Sequence, residues 1–534
     1  MVKQQIKIFD TLLRDGTQGE QISLSSEDKI RIAEKLDEFS IHYVEGGWPG
    51  SNPKDFEFFQ MAQKQSFKQT KIVAFGSTRR ADRTVHDDPN IKALIESNTQ
   101  TISIFGKSWI LHVQKALKID PEENLKLIDD SIRYLKSHQK ELIFDLEHYF
   151  DGYKDNPKYA LKVLEVAQKA GADVLVLCDT NGGTMTSDLA KIVRDSKREV
   201  SVSLGIHTHN DCDLAVANSV IAVEEGCDHV QGTINGYGER CGNANLCSII
   251  PNLQIKRGYR CIPNGKLQQL TALSHFVSEI ANVANPNNMP FVGRSAFAHK
   301  GGIHVSAMMK DNRTYEHILP EQVGNSRRVL VSDLSGRSNI FYKAEELKID
   351  IEKHKDRVQQ IVKKIKDLEN QGYQFEAAEG SFEVMVEKIL GELEHFFDLE
   401  GFRILVEKNK DEESRSEATI RLKVNNVQEH MASEGDGPVH ALDQALRKAL
   451  IQFYPEVEEM QLSDYKVRVL NAKDGTAARV RVLIESCTDS MVWNTVGVSE
   501  DIIEASWQAL TDSFIYFLMK KKRKKRSKKK QKRS

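Results

Sequence analysis

The chain has 534 residues, of which 40% are hydrophobic, so it is too long for one compact domain and can fill several cores. It contains no run of about 18 apolar residues and no apolar signal segment near its start, so we expect a cytoplasmic protein without a membrane span. The seven cysteines are irregularly spaced and include no CxxC pair, which argues against a disulfide framework and a zinc–thiolate site.

The formal net charge of −2 hides an uneven distribution of charge along the chain. Residues 520–534 hold 12 of the 75 basic residues and none of the 77 acidic ones, so the rest of the chain has a net charge of −14. This composition predicts a disordered basic tail over residues 519–534. Such a tail could bind nucleic acid, an anionic membrane or the acidic body of the same oligomer. We favour a solvated tail, because no aromatic residue lies among the basic ones to stack on bases.

Eight β-like runs alternate with helix-like segments in the first part of the chain. Residues 26–40 and 156–170 show the i, i+3, i+4 apolar spacing of helices, and Ser25 or Ser26 can cap the first of them. This alternation predicts a (β/α)₈ TIM barrel over residues 1–272, and no GxGxxG loop supports the rival doubly wound sheet. The predicted strands are residues 6–13, 42–48, 71–77, 101–107, 141–149, 173–180, 202–210 and 229–236.

Polar side chains gather at the carboxyl ends of the predicted strands, where such barrels place their chemistry. His207 and His209 are two residues apart, so on a strand both imidazoles point to the same face. Asp15 follows the first strand and adds a hard oxygen ligand. One carboxylate and two imidazoles predict a divalent cation with open coordination positions, as in catalytic sites. The alternative is that the two histidines are ordinary polar residues at a strand end.

Residues 273–372 predict a helical linker subdomain with a second polar island. This island, residues 298–304, places His299 and His304 beside a Gly-Gly turn, which favours a functional role for the two histidines. Residues 347–369 are charged and helix-periodic, so they predict a connecting helix.

Residues 373–518 contain an internal repeat and predict an α+β domain. In each half, a β-like run, residues 418–424 or 477–485, is followed by glycine and then by a helix. Gly437 and Gly497 would each precede a helix N-terminus that can bind a carboxylate. The alternative is two stacked βα modules that act only as a dimerisation platform.

Three motifs together resemble the Claisen-condensing acyl transferases of the isopropylmalate, homocitrate and citramalate synthase family. They are DTLLRDG at residues 10–16, HTHND at 207–211 and GYGERCGNA at 236–244, and the resemblance extends over about residues 5–520. Segments 46–55, 147–153 and 178–183 are most similar to the long, regulated citramalate branch. The resemblance implies a TIM barrel followed by a linker and a feedback domain.

The resemblance also implies a reaction. Acetyl-CoA, pyruvate and water would give citramalate and CoA, the first step of a threonine-independent route to isoleucine. The alternatives are a 2-isopropylmalate synthase acting on 2-oxoisovalerate, in the leucine branch, or a related metal-dependent carbon–carbon lyase.

The family comparison assigns roles to the polar residues of the barrel. Magnesium, manganese, cobalt or zinc would bind Asp15, His207 and His209 and polarise the keto acid, with Asn243 as a further ligand or near-ligand. Arg14 would stabilise the developing negative charge. The keto-acid carboxylate would bind Thr180 and Arg14.

A base must also remove a proton from the acetyl methyl group. Glu147 and His304 are the candidates, and the family comparison favours His304 from the neighbouring subunit. A pyruvate pocket should be small, and Tyr149, Phe105 and Trp109 are candidates to fill it, with Tyr149 and Glu147 contacting the substrate.

The resemblance further implies that isoleucine binds the repeat domain as a feedback inhibitor. Its carboxylate would meet the helix starts after Gly437 and Gly497, and its ammonium group would pair with Asp436, Glu500 or Asp501. We therefore expect a homodimer or higher homo-oligomer whose small-molecule partners are pyruvate, acetyl-CoA and isoleucine.

Overall fold

The computed structural model describes residues 4–347, 349–408, 410, 413–470 and 478–531, and the chain forms two compact units. The first unit consists of Met1–Phe297 and Ile318–Arg327, and the second of Ala298–His317 and Arg328–Ser534. Within these described ranges, no helix is long and apolar enough to cross a membrane.

The first unit is built around a closed barrel of eight parallel strands in chain order, which confirms the predicted fold. The barrel closes where the first strand pairs with both the second and the eighth. Each strand lies inside one of the eight predicted runs. The strands are β1 (Lys7–Asp10), β2 (Tyr43–Gly47), β3 (Lys71–Ser77), β4 (Thr101–Lys107), β5 (Glu141–Glu147), β6 (Val174–Asp179), β7 (Ser203–Thr208) and β8 (His229–Gly232).

Helices cover the outside of the barrel, and local sequence fixes where they begin. The first helix starts at a capping box, in which the Ser25 side chain accepts from the Asp28 amide and the Asp28 side chain accepts from the Ser25 amide. Proline occupies the first turn of four others. The helices are α1 (Ser26–Phe39), α2 (Pro53–Ala62), α3 (Pro89–Glu96), α4 (Ile110–His112), α5 (Pro121–Ser137), α6 (Tyr149–Asp155), α7 (Pro157–Ala170), α8 (Thr186–Glu199), α9 (Ala215–Glu224), α10 (Leu246–Pro251) and α11 (Leu270–Ala281).

The first unit extends beyond the predicted barrel boundary. The predicted boundary, residue 272, lies inside α11. The unit continues to Phe297 and also includes Ile318–Arg327. The physical reason is that Leu270, Leu273 and Val277 of α11 are buried in the hydrophobic core of the barrel.

The second unit begins with a small helical region. Two short strands pair in parallel, and four helices follow or separate them. Phe382, Val386 and Leu390 of the last helix join the hydrophobic core of this region. The elements are β9 (Ala298–His299), α12 (Gly302–Lys310), β10 (Arg328–Val329), α13 (Arg337–Glu346), α14 (Val358–Asn370) and α15 (Glu379–Leu390).

The predicted internal repeat is present in the rest of this unit. Each half is a three-stranded antiparallel sheet followed by one helix. Residue 477 of the second predicted run lies outside the described residues. The elements are β11 (Asp398–Glu407), β12 (Arg415–Val424), β13 (Val427–Gly435) and α16 (Pro438–Leu450), then β14 (Gln461–Val469), β15 (Val480–Thr488), β16 (Met491–Ser499) and α17 (Ile502–Gln531).

The predicted connecting helix over residues 347–369 is only half correct, because α14 starts at Val358. Ile349 and Ile351 are both buried. Ile351 begins a separate short 3₁₀ helix, Ile351–His354, so the first half of the predicted run is not part of α14.

The prediction of a disordered basic tail is wrong for the residues that the structure describes. Helix α17 runs through the basic segment to Gln531, and residues 532–534 lie outside the described part. Phe514, Phe517 and Leu518 anchor the helix in the core of the repeat domain. Lys520 and Arg523, one turn further on, form ion pairs with glutamates of α15 and so extend the ordered helix.

Candidate active site

A cavity of about 270 Å³ lies at the carboxyl ends of the barrel strands. This is the end at which TIM barrels carry their catalytic groups. Its walls include most of the predicted barrel site residues. These are Arg14, Asp15, Glu147, Thr180, His207 and His209.

The three predicted metal ligands converge. One donor atom each from Asp15, His207 and His209 lies within 4.8 Å of the others, and all three residues are buried. The two histidine Nε2 atoms are 3.3 Å apart, and Asp15 Oδ2 is 3.3 Å from His207 Nε2. A cation about 2.1 Å from each nitrogen fits this spacing, and it explains why two ring nitrogens face each other. The donor set therefore fits a divalent metal.

The electrostatics of the three ligands suit a cation. Burial and the neighbouring His207 lower the pKa of His209 to about 3, so its ring is neutral with a lone pair to donate. Burial favours a high pKa for Asp15, but Arg14 and His207 outweigh it and hold the pKa far below its ordinary value. Burial lowers the pKa of His207, but Asp15 outweighs this effect and raises the pKa above its ordinary value. A bound cation would take the place of the proton on this ring.

Asn243 lies beside this cluster, as predicted. Its amide nitrogen donates to Asp15 Oδ2 at 2.7 Å, and its Oδ1 is buried without a hydrogen-bond partner among the described residues. Rotation of the amide by half a turn exchanges the two atoms and presents the oxygen to a cation. Asn243 thus stays a predicted ligand or near-ligand.

A chain of buried polar groups orients His207. Its Nδ1 is 2.9 Å from Gln231 Oε1, and Gln231 Nε2 donates to Asp145 Oδ1 at 3.0 Å. The Ser103 hydroxyl donates to the other Asp145 oxygen at 2.9 Å. His209 has no equivalent, because its Nδ1 is buried without a partner among the described residues.

Arg14 is held rigidly between two carboxylates and an aromatic ring. Its Nε donates to Glu45 Oε2 at 2.7 Å, its Nη1 is 3.3 Å from Asp15 Oδ1, and its guanidinium lies 3.7 Å from the centre of the Phe75 ring. Burial raises the pKa of Glu45 to about 7. Arg14 lowers this pKa and Asp145 raises it further, but burial has the largest effect. The guanidinium therefore faces the cavity as a fixed positive charge.

Thr180 and Glu147 lie on the wall of the same cavity. The Thr180 Oγ1 accepts from the His148 amide at 2.8 Å, so its own hydrogen is available to a substrate carboxylate. The Glu147 carboxylate forms an ion pair with Lys107, and its side chain is 25% exposed. It therefore occupies a part of the wall that solvent and substrate can reach.

Tyr149 does not line the cavity, contrary to the prediction. It is completely buried, and its hydroxyl is 2.7 Å from Ser196 Oγ on α8. The reason is local, because His148 adopts a left-handed conformation with φ of 56° and turns the chain from β5 into α6. Trp109 also lies outside the wall, where its indole N–H donates to Asp155 and its ring stacks on His112.

Three aromatic rings and one cysteine form the apolar part of the wall. Phe105 belongs to it, as predicted, together with Phe75, Trp48 and Cys178. The Trp48 ring packs edge-on against both phenylalanines. Sequence reasoning missed Phe75, although its place near the end of a strand was the signal that could have identified it.

Sequence reasoning also missed Asp145 and Gln231. Each is a polar residue inside an otherwise apolar strand, Phe144-Asp145-Leu146 and Val230-Gln231-Gly232, and each is buried. A buried polar side chain in such a run needs a polar partner, and this signal was available in the sequence.

The two histidines of the linker island lie in the second unit. His299 is buried, and its Nε2 lies 3.1 Å from Glu316 Oε1, so its ring makes an internal contact and does not face solvent. His304 is exposed on α12, and its ring stacks on Tyr315 with the centroids 4.2 Å apart. A catalytic role for His304 stays a prediction.

The predicted effector residues are arranged differently in the two halves of the repeat. Gly437 caps the start of α16, and Asp436 beside it is exposed and pairs with His440. Gly497 instead lies inside β16, where a side chain would clash with the Ala505 carbonyl of α17. Asp501 caps α17 itself by accepting from the Ile503 amide at 2.7 Å. The prediction that Gly497 precedes a helix N-terminus is therefore wrong.

Comparisons with known proteins point to one family. The HMGL-like family profile matches residues 5–277, the homocitrate synthase post-HMGL domain-like profile 291–373, and the LeuA allosteric (dimerisation) domain 376–518. The chain is 56% identical to the (R)-citramalate synthase of Aquifex aeolicus over 97% of this chain and 98% of that protein. It is 57% identical to the (R)-citramalate synthase of Geobacter sulfurreducens over 96% and 98% of the two chains. It is 32% identical to the 2-isopropylmalate synthase of Methanocaldococcus jannaschii over 97% and 96%.

The barrel profile covers the residues that form the candidate metal site, and the similar proteins extend over nearly the whole chain. The family resemblance inferred from the motifs is therefore confirmed. The chain belongs to the HMGL-like family, within the group of the (R)-citramalate synthases.

Proposed function

We propose that this chain is a metal-dependent acyltransferase that condenses acetyl-CoA with pyruvate and water to give (R)-citramalate and CoA. The observation that carries this proposal is the convergence of Asp15, His207 and His209 beside Arg14 in one cavity. The (R)-citramalate synthases, similar at 44–57% identity over nearly the whole chain, support pyruvate as the keto acid.

The side chains around the cavity supply complementary chemistry. A magnesium, manganese, cobalt or zinc ion held by the three ligands would act as a Lewis acid on the keto-acid carbonyl. Arg14, whose Nε donates to Glu45, would bind the oxygen on which negative charge develops. The available hydrogen of the Thr180 hydroxyl suits the substrate carboxylate.

Glu147 is the proposed base for the acetyl methyl proton. Its carboxylate lines the cavity, where an acetyl methyl group could reach it, and forms an ion pair with Lys107. Loss of the proton gives an enolate whose carbon attacks the pyruvate carbonyl, and water then cleaves the thioester to release CoA. His304 is the second proposed candidate, and replacing each residue separately distinguishes them.

The apolar wall favours a small keto acid. Trp48, Phe75 and Phe105 line the cavity, so we propose that the side chain of the keto acid packs against their rings. One or two extra methylene groups change binding by only ~1–3 kcal/mol, so this pocket should prefer pyruvate by a measurable but limited factor.

We also propose that the repeat domain holds a homodimer together and binds isoleucine as a feedback inhibitor. The matching LeuA allosteric (dimerisation) domain supports both parts of this proposal. Of the two helix starts, the one at Gly437 is the better candidate for the carboxylate, because Asp501 already caps the other.

The test is CoA release by the full chain from acetyl-CoA, with a divalent metal and a panel of 2-keto acids. We expect pyruvate to give the highest kcat/KM and citramalate to be the product by mass spectrometry. A preference for 2-oxoisovalerate would assign the chain to the isopropylmalate reaction. Cleavage of citramalate-type thioesters without condensation would support a lyase.

A further inference from the structure

We infer that Gln231 and Asp145 are positioning residues that fix the ring tautomer of His207 and thereby set the metal affinity of the site. This inference rests on the proposed metal centre and adds two residues that do not touch the cation. It begins from the three aligned contacts His207–Gln231, Gln231–Asp145 and Asp145–Ser103.

The donor and acceptor of each of these hydrogen bonds can be assigned starting from Ser103, the residue farthest from His207 in the series. The Ser103 hydroxyl donates to Asp145 Oδ2, which leaves Asp145 Oδ1 as an acceptor for a second donor. Gln231 meets that oxygen at 3.0 Å, so its NH₂ group must face Asp145. The opposite amide orientation would place two acceptor oxygens against each other.

The Gln231 orientation then determines the His207 tautomer. With its NH₂ group turned to Asp145, Gln231 presents Oε1 to His207 Nδ1 at 2.9 Å. A carbonyl oxygen only accepts, so Nδ1 must carry the hydrogen. The lone pair of the neutral ring is then on Nε2, the atom that faces Asp15 and His209.

The barrel holds these four hydrogen-bonded side chains rigidly. His207, Gln231, Asp145 and Ser103 are all buried, and they come from four different strands of the barrel. Four residues on separate strands keep their spacing only while the barrel is intact. The histidine ring is therefore oriented before a cation arrives, which reduces the free-energy cost of ordering the ligand on binding.

The experiment measures metal affinity without substrate. The full chain is stripped of metal, and the dissociation constants for Mn²⁺ and Co²⁺ are determined by competition with a chelator, together with the visible spectrum of the Co²⁺ form. We expect Gln231→Leu to weaken binding by about 10- to 100-fold, as for other partners that orient a ligating histidine. His229→Leu is the matched control, because His229 is buried on the same strand and its ring contacts Phe9 and Tyr43 instead.

A swapped pair separates orientation from packing. In the double variant Asp145→Asn/Gln231→Glu, the side chain at position 231 still accepts from His207 Nδ1. The side chain at position 145 now donates to the side chain at position 231, so His207 keeps the same tautomer. We expect the double variant to regain affinity within several-fold of wild type, and Gln231→Glu alone to bind less tightly because two carboxylates face each other.

Two results would overturn the inference while leaving the proposed function intact. They are unchanged affinity and Co²⁺ spectrum in Gln231→Leu, or a double variant that binds no better than its weaker parent. Failure of the wild type to bind any divalent cation would instead contradict the proposed metal centre. Circular dichroism of each metal-free variant shows whether the barrel is folded.

Discussion

At the scale of single residues, Arg14 lies between the candidate metal cluster and the rest of the cavity wall. Its guanidinium contacts Glu45 and Asp15 and lies on the Phe75 ring, so its position is fixed from three sides. Asp15 also belongs to the candidate metal cluster. In the proposed reaction, Arg14 would therefore place a positive charge next to the point where an oxyanion forms.

Arg14→Lys should lower kcat by about 100-fold or more, as for the loss of a group that acts mainly in the transition state. Lysine keeps the charge but loses the planar fork that reaches both carboxylates. Steady-state kinetics with pyruvate and acetyl-CoA check this, and we expect the KM for acetyl-CoA to change little. A variant that changes only the KM for pyruvate would make Arg14 a simple binding residue.

At the scale of elements, helices α15 and α17 are joined by buried ion pairs. The side chains of Glu383 and Glu387 on α15 are 0% and 2% exposed, and they pair with Lys520 and Arg523 of α17. Removing the cations would leave buried carboxylates without a counter-charge. The basic segment therefore has a structural role in the second unit.

The double variant Lys520→Met/Arg523→Met should lower the free energy of unfolding of the second unit by about 1–3 kcal/mol. The loss of stability comes from Glu383 and Glu387, which are left buried without a counter-charge. It is limited because Lys520 and Arg523 are themselves partly exposed to solvent. Thermal unfolding followed by calorimetry measures the change. Lys525→Met is the control, because its pair with Glu456 is exposed and should contribute less than about 1 kcal/mol. Equal effects in both variants would contradict this account.

We expect Asp512 on α17 to make the stability of this unit depend on pH. Burial raises its pKa from 3.8 to about 7, against the opposing effects of Ser381 and Lys388. Between these two values the folded chain keeps a proton that the unfolded chain has released. The contribution of Asp512 to stability therefore falls as the pH rises through this range.

Asp512→Asn removes this titration, so the melting temperature of the variant should rise relative to wild type between pH 5 and pH 8. Differential scanning calorimetry at the two pH values gives the comparison. Asp489→Asn, which removes an exposed carboxylate, is the control and should show no such trend. A constant difference between Asp512→Asn and wild type across this range would refute the prediction.

The elements also show what the sequence could and could not predict. The eight barrel strands were predictable, because apolar runs repeat with helices between them. The metal cluster was predictable, because strand ends in such a barrel meet at one end. The position of Tyr149 was not, since it depends on one left-handed residue, His148. The helical form of the basic segment depends on glutamates more than 130 positions away, which no local pattern reveals.

At the scale of the whole molecule, the proposal combines a condensing barrel with a feedback domain. Family profiles match a barrel domain at residues 5–277 and an allosteric (dimerisation) domain at residues 376–518. For an end product to inhibit, it must bind one global state of the protein better than another. Effector and substrate must then weaken each other's binding by the same factor.

Isoleucine should inhibit the full chain and should bind less tightly when pyruvate is present. Titration of CoA release with isoleucine, leucine and lysine checks the effector, and calorimetric titration with and without pyruvate checks the reciprocity. Truncation after Gly372 should abolish inhibition. Inhibition by leucine alone would favour the isopropylmalate branch, and no response to any of the three would reduce the repeat to a dimerisation platform.

The central claim is that CoA release requires both pyruvate and a cation held by Asp15, His207 and His209. The most direct measurement is thiol release from acetyl-CoA by wild type and His207→Ala, each stripped by a chelator and then supplied with magnesium, manganese or cobalt. We predict that stripped wild type is inactive with pyruvate and regains activity with metal, whereas His207→Ala stays inactive while its circular dichroism is unchanged. Full pyruvate-dependent thiol release by metal-free His207→Ala would contradict the account.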